Sequence, residues 1–165
     1  MEPMIRRLDT FSEWIGRAAA VSAVLLIALV LFDTFSRYLF SSGSIALQEL
    51  EWHLHDLIFL LGISYALKHN AHVRVDLFYE KFSPSLKAWV NIAGIVFLII
   101  PFSAFIFYTG LEFAKDAYAM GEVSPNPGGL AYRFAIKSAI AAAFALVILQ
   151  AGSELLKSIQ QLRRK

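Results

Sequence analysis

The 165-residue chain has no cysteine. Disulfides, thiolate zinc sites, iron–sulfur clusters and cysteine nucleophiles are therefore excluded. Charge is also scarce. Charged residues make up 17% of the chain, against about 25% in an average soluble domain. The formal net charge of +2 is too small to point to a polyanion, so a nucleic-acid partner is not expected. What the chain has in surplus is apolar matter: hydrophobic residues reach 58%, where soluble domains carry about 45–50%. The mean hydropathy is +0.58, and phenylalanine alone occurs 14 times, more than a small soluble core would bury. These numbers describe an integral membrane protein, and the length suits one membrane domain over residues 1–165.

No segment shows the alternation of a membrane β-barrel strand, so the expected class is all-α. A helix needs about 20 mostly apolar residues to cross a hydrocarbon core of about 30 Å. Four such spans are expected, at about residues 18–40, 49–67, 89–111 and 134–156. Arg6 and Arg7 before an apolar run resemble a signal peptide. The run is long, however, and continues into Asp33, Thr34 and Arg37, which reads as an uncleaved anchor helix. Eleven of the 15 basic residues fall in the N-terminal segment, the loop between spans two and three, and the C-terminus. By the positive-inside rule both termini are expected in the cytoplasm. Anionic lipid headgroups suffice to explain the basic C-terminal tail, which makes phospholipids expected partners.

The connections differ in kind. Ser41-Ser42-Gly43-Ser44 is a short polar turn. Between spans two and three, apolar residues interleave with charged ones, which predicts a short amphipathic helix in the membrane interface over about 75–82, with Arg74, Asp76, Phe78 and Phe82 as its marks. Ser83-Pro84 reads as the N-cap and first residue of span three, and Pro101 is expected to kink that span. Residues 121–129 hold two prolines and three glycines and form the longest loop on the outer side. In span four, Ala135, Ala139 and Ala143 repeat every fourth residue, a spacing that permits close helix approach.

Ionisable residues inside a span are rare and mark function or a partner. Asp33 and Arg37 stand four apart and can pair on one helix face. Span two opens with five ionisable groups in two turns: Glu49, His53 and Asp56 on one face, Glu51 and His55 on the next. Such a face cannot meet acyl chains. It must meet water, other helices or another protein. A metal or proton site remains open beside a packing face, because His, Glu and Asp are metal ligands. Haem ligation lacks a second axial partner, since all four histidines lie between His53 and His72. No catalytic Ser–His–Asp placement or phosphate loop stands out, and no inverted repeat of a stand-alone transporter is visible.

Arg37-Tyr38-Leu39-Phe40, then Gln48-Glu49, Gly62 and Ala66, then His72-Val73-Arg74-Val75-Asp76, taken in this order and spacing, resemble the small membrane subunit of TRAP (tripartite ATP-independent periplasmic) transporters, the DctQ-like family. The resemblance covers about residues 9–155. It implies a non-enzymatic subunit of the bacterial inner membrane, without cofactor, metal or catalytic residue. It implies two protein partners, a large DctM-like membrane subunit and a periplasmic substrate-binding protein. The large subunit would carry the substrate and sodium sites, with organic acids as cargo, and this chain would scaffold it. Asp33, Arg37, Glu49, Glu51, His53 and Asp56 would then lie in helix or subunit contacts. Glu122, Ser124 and Asn126 would be candidates for touching the binding protein. The alternatives are a membrane anchor of a redox complex and an autonomous small transporter or channel.

Overall fold

The computed structural model describes residues 2–69, 79 and 81–163. Among these residues the fold is all-helical. Helix α1 is Glu2–Phe40 and α2 is Ile45–Lys68. Helix α3, Pro84–Gly94, runs through a π-helical turn at Ile95–Ile99 into α4, Ile100–Ala119. Helix α5 is Phe134–Arg163. Three units are long and apolar enough to cross a membrane: α1, the continuous Pro84–Ala119, and α5. The fourth expected crossing, α2, has 24 residues and so reaches about 36 Å, but its polar first half lowers its hydropathy. The expected interfacial helix falls mostly outside the described residues, as do Arg74, Asp76 and Phe78. Phe82 is described and half-buried, its ring edge-on to that of Tyr79 at 6.2 Å.

Local chemistry sets the helix ends. Ser83 caps α3 by accepting from the Leu86 N–H at 3.3 Å, with Pro84 at the first helical position, as the sequence predicts. Ser44 caps α2 in the same way through the Leu47 N–H. Pro101 lacks an N–H and crowds the preceding turn. The helix meets it with the π turn just before it, a single wide turn inside a continuous helix.

Helix α5 is the shared neighbour: α1, α2 and the α3–α4 unit all pack on it, and α1 also pairs with α2. On α1 the buried residues Ile5, Ser12, Ala19 and Asp33 follow a seven-residue step, with half-buried Leu26 at the remaining place. That period belongs to a left-handed seam. On α5 the buried run Ala143, Val147 and Ala151 steps by four. Leu67 of α2, Ile95 of the π turn, Val147 and Ala151 form the apolar centre. The expected small-residue contact of α5 is displaced from where the sequence puts it. Ala143 is buried, but Ala135 is exposed and Ala139 only half-buried. The close approach is made instead by Ala141, whose backbone N lies 3.2 Å from where a Cβ on Gly110 would stand.

At the end carrying both termini, a polar network joins α1 to α5. Ser12 Oγ donates to Gln150 Oε1 at 2.6 Å. Gln150 Nε2 donates to Asp9 Oδ1 at 3.2 Å and to Glu154 Oε1 at 3.0 Å. Ser153 Oγ donates to Asp9 Oδ1 at 2.8 Å, and Lys157 bridges Asp9 at 2.8 Å and Glu154 at 2.7 Å. Gln150 and Ser153 are fully buried, so satisfied partners matter: an orphaned buried polar group costs about 1–3 kcal/mol. Glu13 ties α1 to the end of α2 through Lys68 and through His69 Nε2 at 2.9 Å. Gln161 Nε2 reaches the Pro84 carbonyl at 3.2 Å, bringing the start of α3 to the same end.

Candidate functional site

The opposite end, where the connections 41–44 and 120–133 lie, gathers most of the ionisable residues singled out in the sequence. Glu49 sits one turn into α2, and the connection between α4 and α5 folds round its carboxylate. Oε1 accepts from Ser124 Oγ and from Asn126 Nδ2 at 3.1 Å. Oε2 accepts the Leu130 N–H at 2.7 Å. The loop supports itself as well: the Ser124 N–H donates to the Leu130 carbonyl at 3.0 Å, and the Asn126 N–H to Ser124 Oγ at 3.1 Å. Gly129 makes the approach possible, because a Cβ there would stand 2.8 Å from Glu49 Oε2 and collide with Ser124. Gly128 takes a left-handed φ of 81°, which glycine adopts without strain.

Glu122 fastens the base of the same loop. It pairs with Lys137 and, at 3.6 Å, with Arg133 Nε, both on the first turns into and along α5. The Lys137 ammonium also lies 3.9 Å from the centre of the Phe113 ring on α4. The loop residues Glu122, Ser124 and Asn126 thus all hold partners within this chain.

The remaining sequence candidates fall into two groups. Asp33 is buried on the α1 seam and accepts from Arg37 through Oδ2. Its Oδ1 and the Oε1 of Glu51 are the buried side-chain atoms without a hydrogen-bond partner among the described residues. The second group has open surroundings. Among the described residues the side chains of His53 and Asp56 make no hydrogen bond or ion pair, and they line a cleft of about 340 Å³ with Glu49, Trp52, Asn126 and Arg133. Asp56 and Arg133 also border a groove of about 510 Å³ between α2 and α4, floored by Ile136 and Ile140 of α5. Among the described residues no three His, Asp or Glu side chains are placed to hold a metal ion.

Sequence reasoning missed the partners. Arg133 and Lys137 line these clefts but read as ordinary flanking charges of a span. Gln150, Asp9 and Ser153 went unremarked, although a glutamine amid the apolar residues of span four is itself a signal of a polar contact.

The comparisons with known proteins agree with this architecture. The family model described as "Tripartite ATP-independent periplasmic transporters, DctQ component" matches residues 12–161. No curated protein and no solved structure shows a significant match. The matched region takes in part or all of every helix, from Ser12, about three turns into α1, to the last turn of α5. The chain belongs to the DctQ family: it is the small permease subunit of a TRAP transporter, a multi-pass protein of the inner membrane.

Proposed function

We propose that this chain scaffolds the large membrane subunit for sodium-coupled, binding-protein-dependent uptake of organic acids. The observation that carries the reading is the pair Glu51 and His53 on α2: the buried Glu51 Oε1 has no hydrogen-bond partner and His53 no ion pair among the described residues. Such groups are costly against lipid, and a second protein relieves that cost. The continuous apolar surface of α1 (Val24, Ile27, Leu31 and Phe35 are all exposed) offers a broad face for the same partner or for lipid. In this reading α2 is the fourth crossing. Asp33 with Arg37, and Glu49 with its loop, are contacts within the chain, while Glu51 and His53 are turned to the large subunit. The loop end faces the periplasm, because most Lys and Arg collect at the other end. There the loop shaped by Glu122, Ser124 and Asn126 presents itself to the binding protein.

Affinity purification of the tagged chain from its own membrane in mild detergent tests the reading. Mass spectrometry should find one large polytopic subunit at equal stoichiometry. A chain that emerges alone, folded and monodisperse would overturn it. Orientation is tested separately, and the lack of native cysteine makes the experiment clean. Ser42→Cys should react with a membrane-impermeant thiol reagent from the periplasmic side. Gln160→Cys should react only after the membrane is opened. The reverse pattern would invert the topology.

A further inference from the structure

We infer that the groove between α2 and α4 binds a single phospholipid with a zwitterionic, ammonium-bearing head group of the phosphatidylethanolamine class. The inference rests on α2 lying in the membrane beside α4 and α5, as proposed above, and not on which side the termini face.

The groove is graded in polarity along the membrane normal. Asp56 and Arg133 stand at its loop-end rim. Phe59 and Leu60 follow along α2 toward the midplane, and Ile140 does so along α5. Phe59 is 68% exposed, so one wall of the groove is open to a ligand. An amphiphile in the loop-end leaflet has the same order, head outward and chain inward. The groove has a volume of about 510 Å³, in the range of small-molecule clefts, about 300–1,000 Å³, and so takes a head group with the upper part of one acyl chain.

The charges select the head group. Among the described residues Asp56 makes no hydrogen bond or ion pair. The Arg133 guanidinium meets Glu122 through Nε at 3.6 Å and shares a cleft with Glu49. Its terminal nitrogens remain as donors in the fork geometry that suits a phosphate. Lys137 is held by Glu122 and by the Phe113 ring. With Glu122, Asp56 and Glu49 of the adjoining cleft set against Arg133 and Lys137, the rim carries no net positive charge. It offers no net attraction to an anionic lipid. It offers two separated ends to a zwitterion: Arg133 for the phosphate, Asp56 for the ammonium. A primary ammonium can donate hydrogen bonds to Asp56, which a trimethylated one cannot.

The test uses the complex with its large subunit, purified in mild detergent. Native mass spectrometry should find one phosphatidylethanolamine per chain. After delipidation, added phosphatidylethanolamine should bind about tenfold more tightly than phosphatidylcholine or phosphatidylglycerol of the same chain length, as one charge-assisted hydrogen bond allows. Asp56→Asn should abolish that preference, and Asp56→Glu should keep it. Arg133→Lys, which preserves the charge opposite Glu122, should weaken all phospholipids together. Equal binding of the three lipids, or a preference that survives Asp56→Asn, overturns the inference. Loss of the large subunit from Asp56→Asn without any change in lipid preference also overturns it, and puts a partner side chain in the groove. Phe59→Cys separates the two levels of argument. If an impermeant thiol reagent labels it in the assembled complex, α2 is not embedded, and both this inference and the reading beneath it fail. If it stays unlabelled while the lipids bind alike, this inference alone fails.

Discussion

Glu49→Ala is expected to unfasten the connection between α4 and α5 while leaving the helices in place. The segment has no secondary structure from Glu122 to Leu130. It contains two prolines and two glycines that cannot make a ladder of their own. Beside its own few hydrogen bonds and the Glu122 pairs at its base, it is tied to α2 by one carboxylate that accepts from Ser124, Asn126 and the Leu130 N–H. With alanine there, the Leu130 N–H loses its acceptor and Ser124 and Asn126 lose their anchor. Amide exchange over residues 124–130 should accelerate roughly tenfold or more, as local opening dictates. Exchange in α4 and α5 should stay as before. Glu49→Gln should lie between, because the amide nitrogen facing Leu130 is a donor where an acceptor is needed. Transport should fall with loop order if the loop meets the binding protein. Unchanged exchange over 124–130 in Glu49→Ala would refute the anchoring role.

The second large effect is expected at the other end, where α1 crosses α2. Gly16 lies against the Tyr65 ring so closely that an added Cβ would stand 2.7 Å from its Cγ and Cε2. Cγ is the root of the ring, not a flexible tip, so the ring must swing away as a whole. That would break its stacking on His69 (centroids 4.4 Å apart) and pull at the neighbouring Glu13–Lys68 pair. Overpacking of this kind costs about 1–3 kcal/mol. The thermal midpoint in detergent should drop in the order Gly16→Ala, Gly16→Val, Gly16→Leu. Gly16→Val combined with Tyr65→Ala should recover part of the loss. Gly62 supplies the contrast, since an added Cβ there meets nothing within 4 Å. Gly62→Ala should be neutral or slightly stabilising through helix propensity. If Gly16→Val melts like the parent, the close crossing is not a determinant of the fold.

These two sites show what a sequence discloses and what it withholds. The membrane class, three of the four expected spans, the Ser83-Pro84 cap and the Asp33–Arg37 pair were legible because each depends on composition or on residues within one turn. Glu49 was legible as an ionisable residue at a span start, but its partners lie 75 to 81 positions away. Nothing local announces which loop will wrap round it. Gly16 was silent for the same reason: its constraint is the ring of Tyr65 on another helix. The extension of α1 from Glu2 through Gly16 lies ahead of the expected span at about 18–40. It is helical, with Asp9 and Ser12 hydrogen-bonded to α5. Pro101 signalled a disturbance correctly, but the helix absorbs it as a wide turn one step earlier, at Ile95–Ile99.

The position of α5 has a consequence for biosynthesis. It follows the other described helices in the chain, yet it is the one that all of them pack against. A chain inserting in order can form the α1–α2 hairpin, with Gly16 under Tyr65 and Glu13 on Lys68, before α5 exists. Helices α3 and α4 must then wait in the bilayer with their packing face unfilled. Arrival of α5 brings Gln150 and Ser153 to Asp9, draws the preceding loop onto Glu49, and closes both ends of the protein at once. The packing shared by all the helices therefore forms only when α5 docks, and a nascent chain stopped short of residue 134 is an open set of helices with no common neighbour.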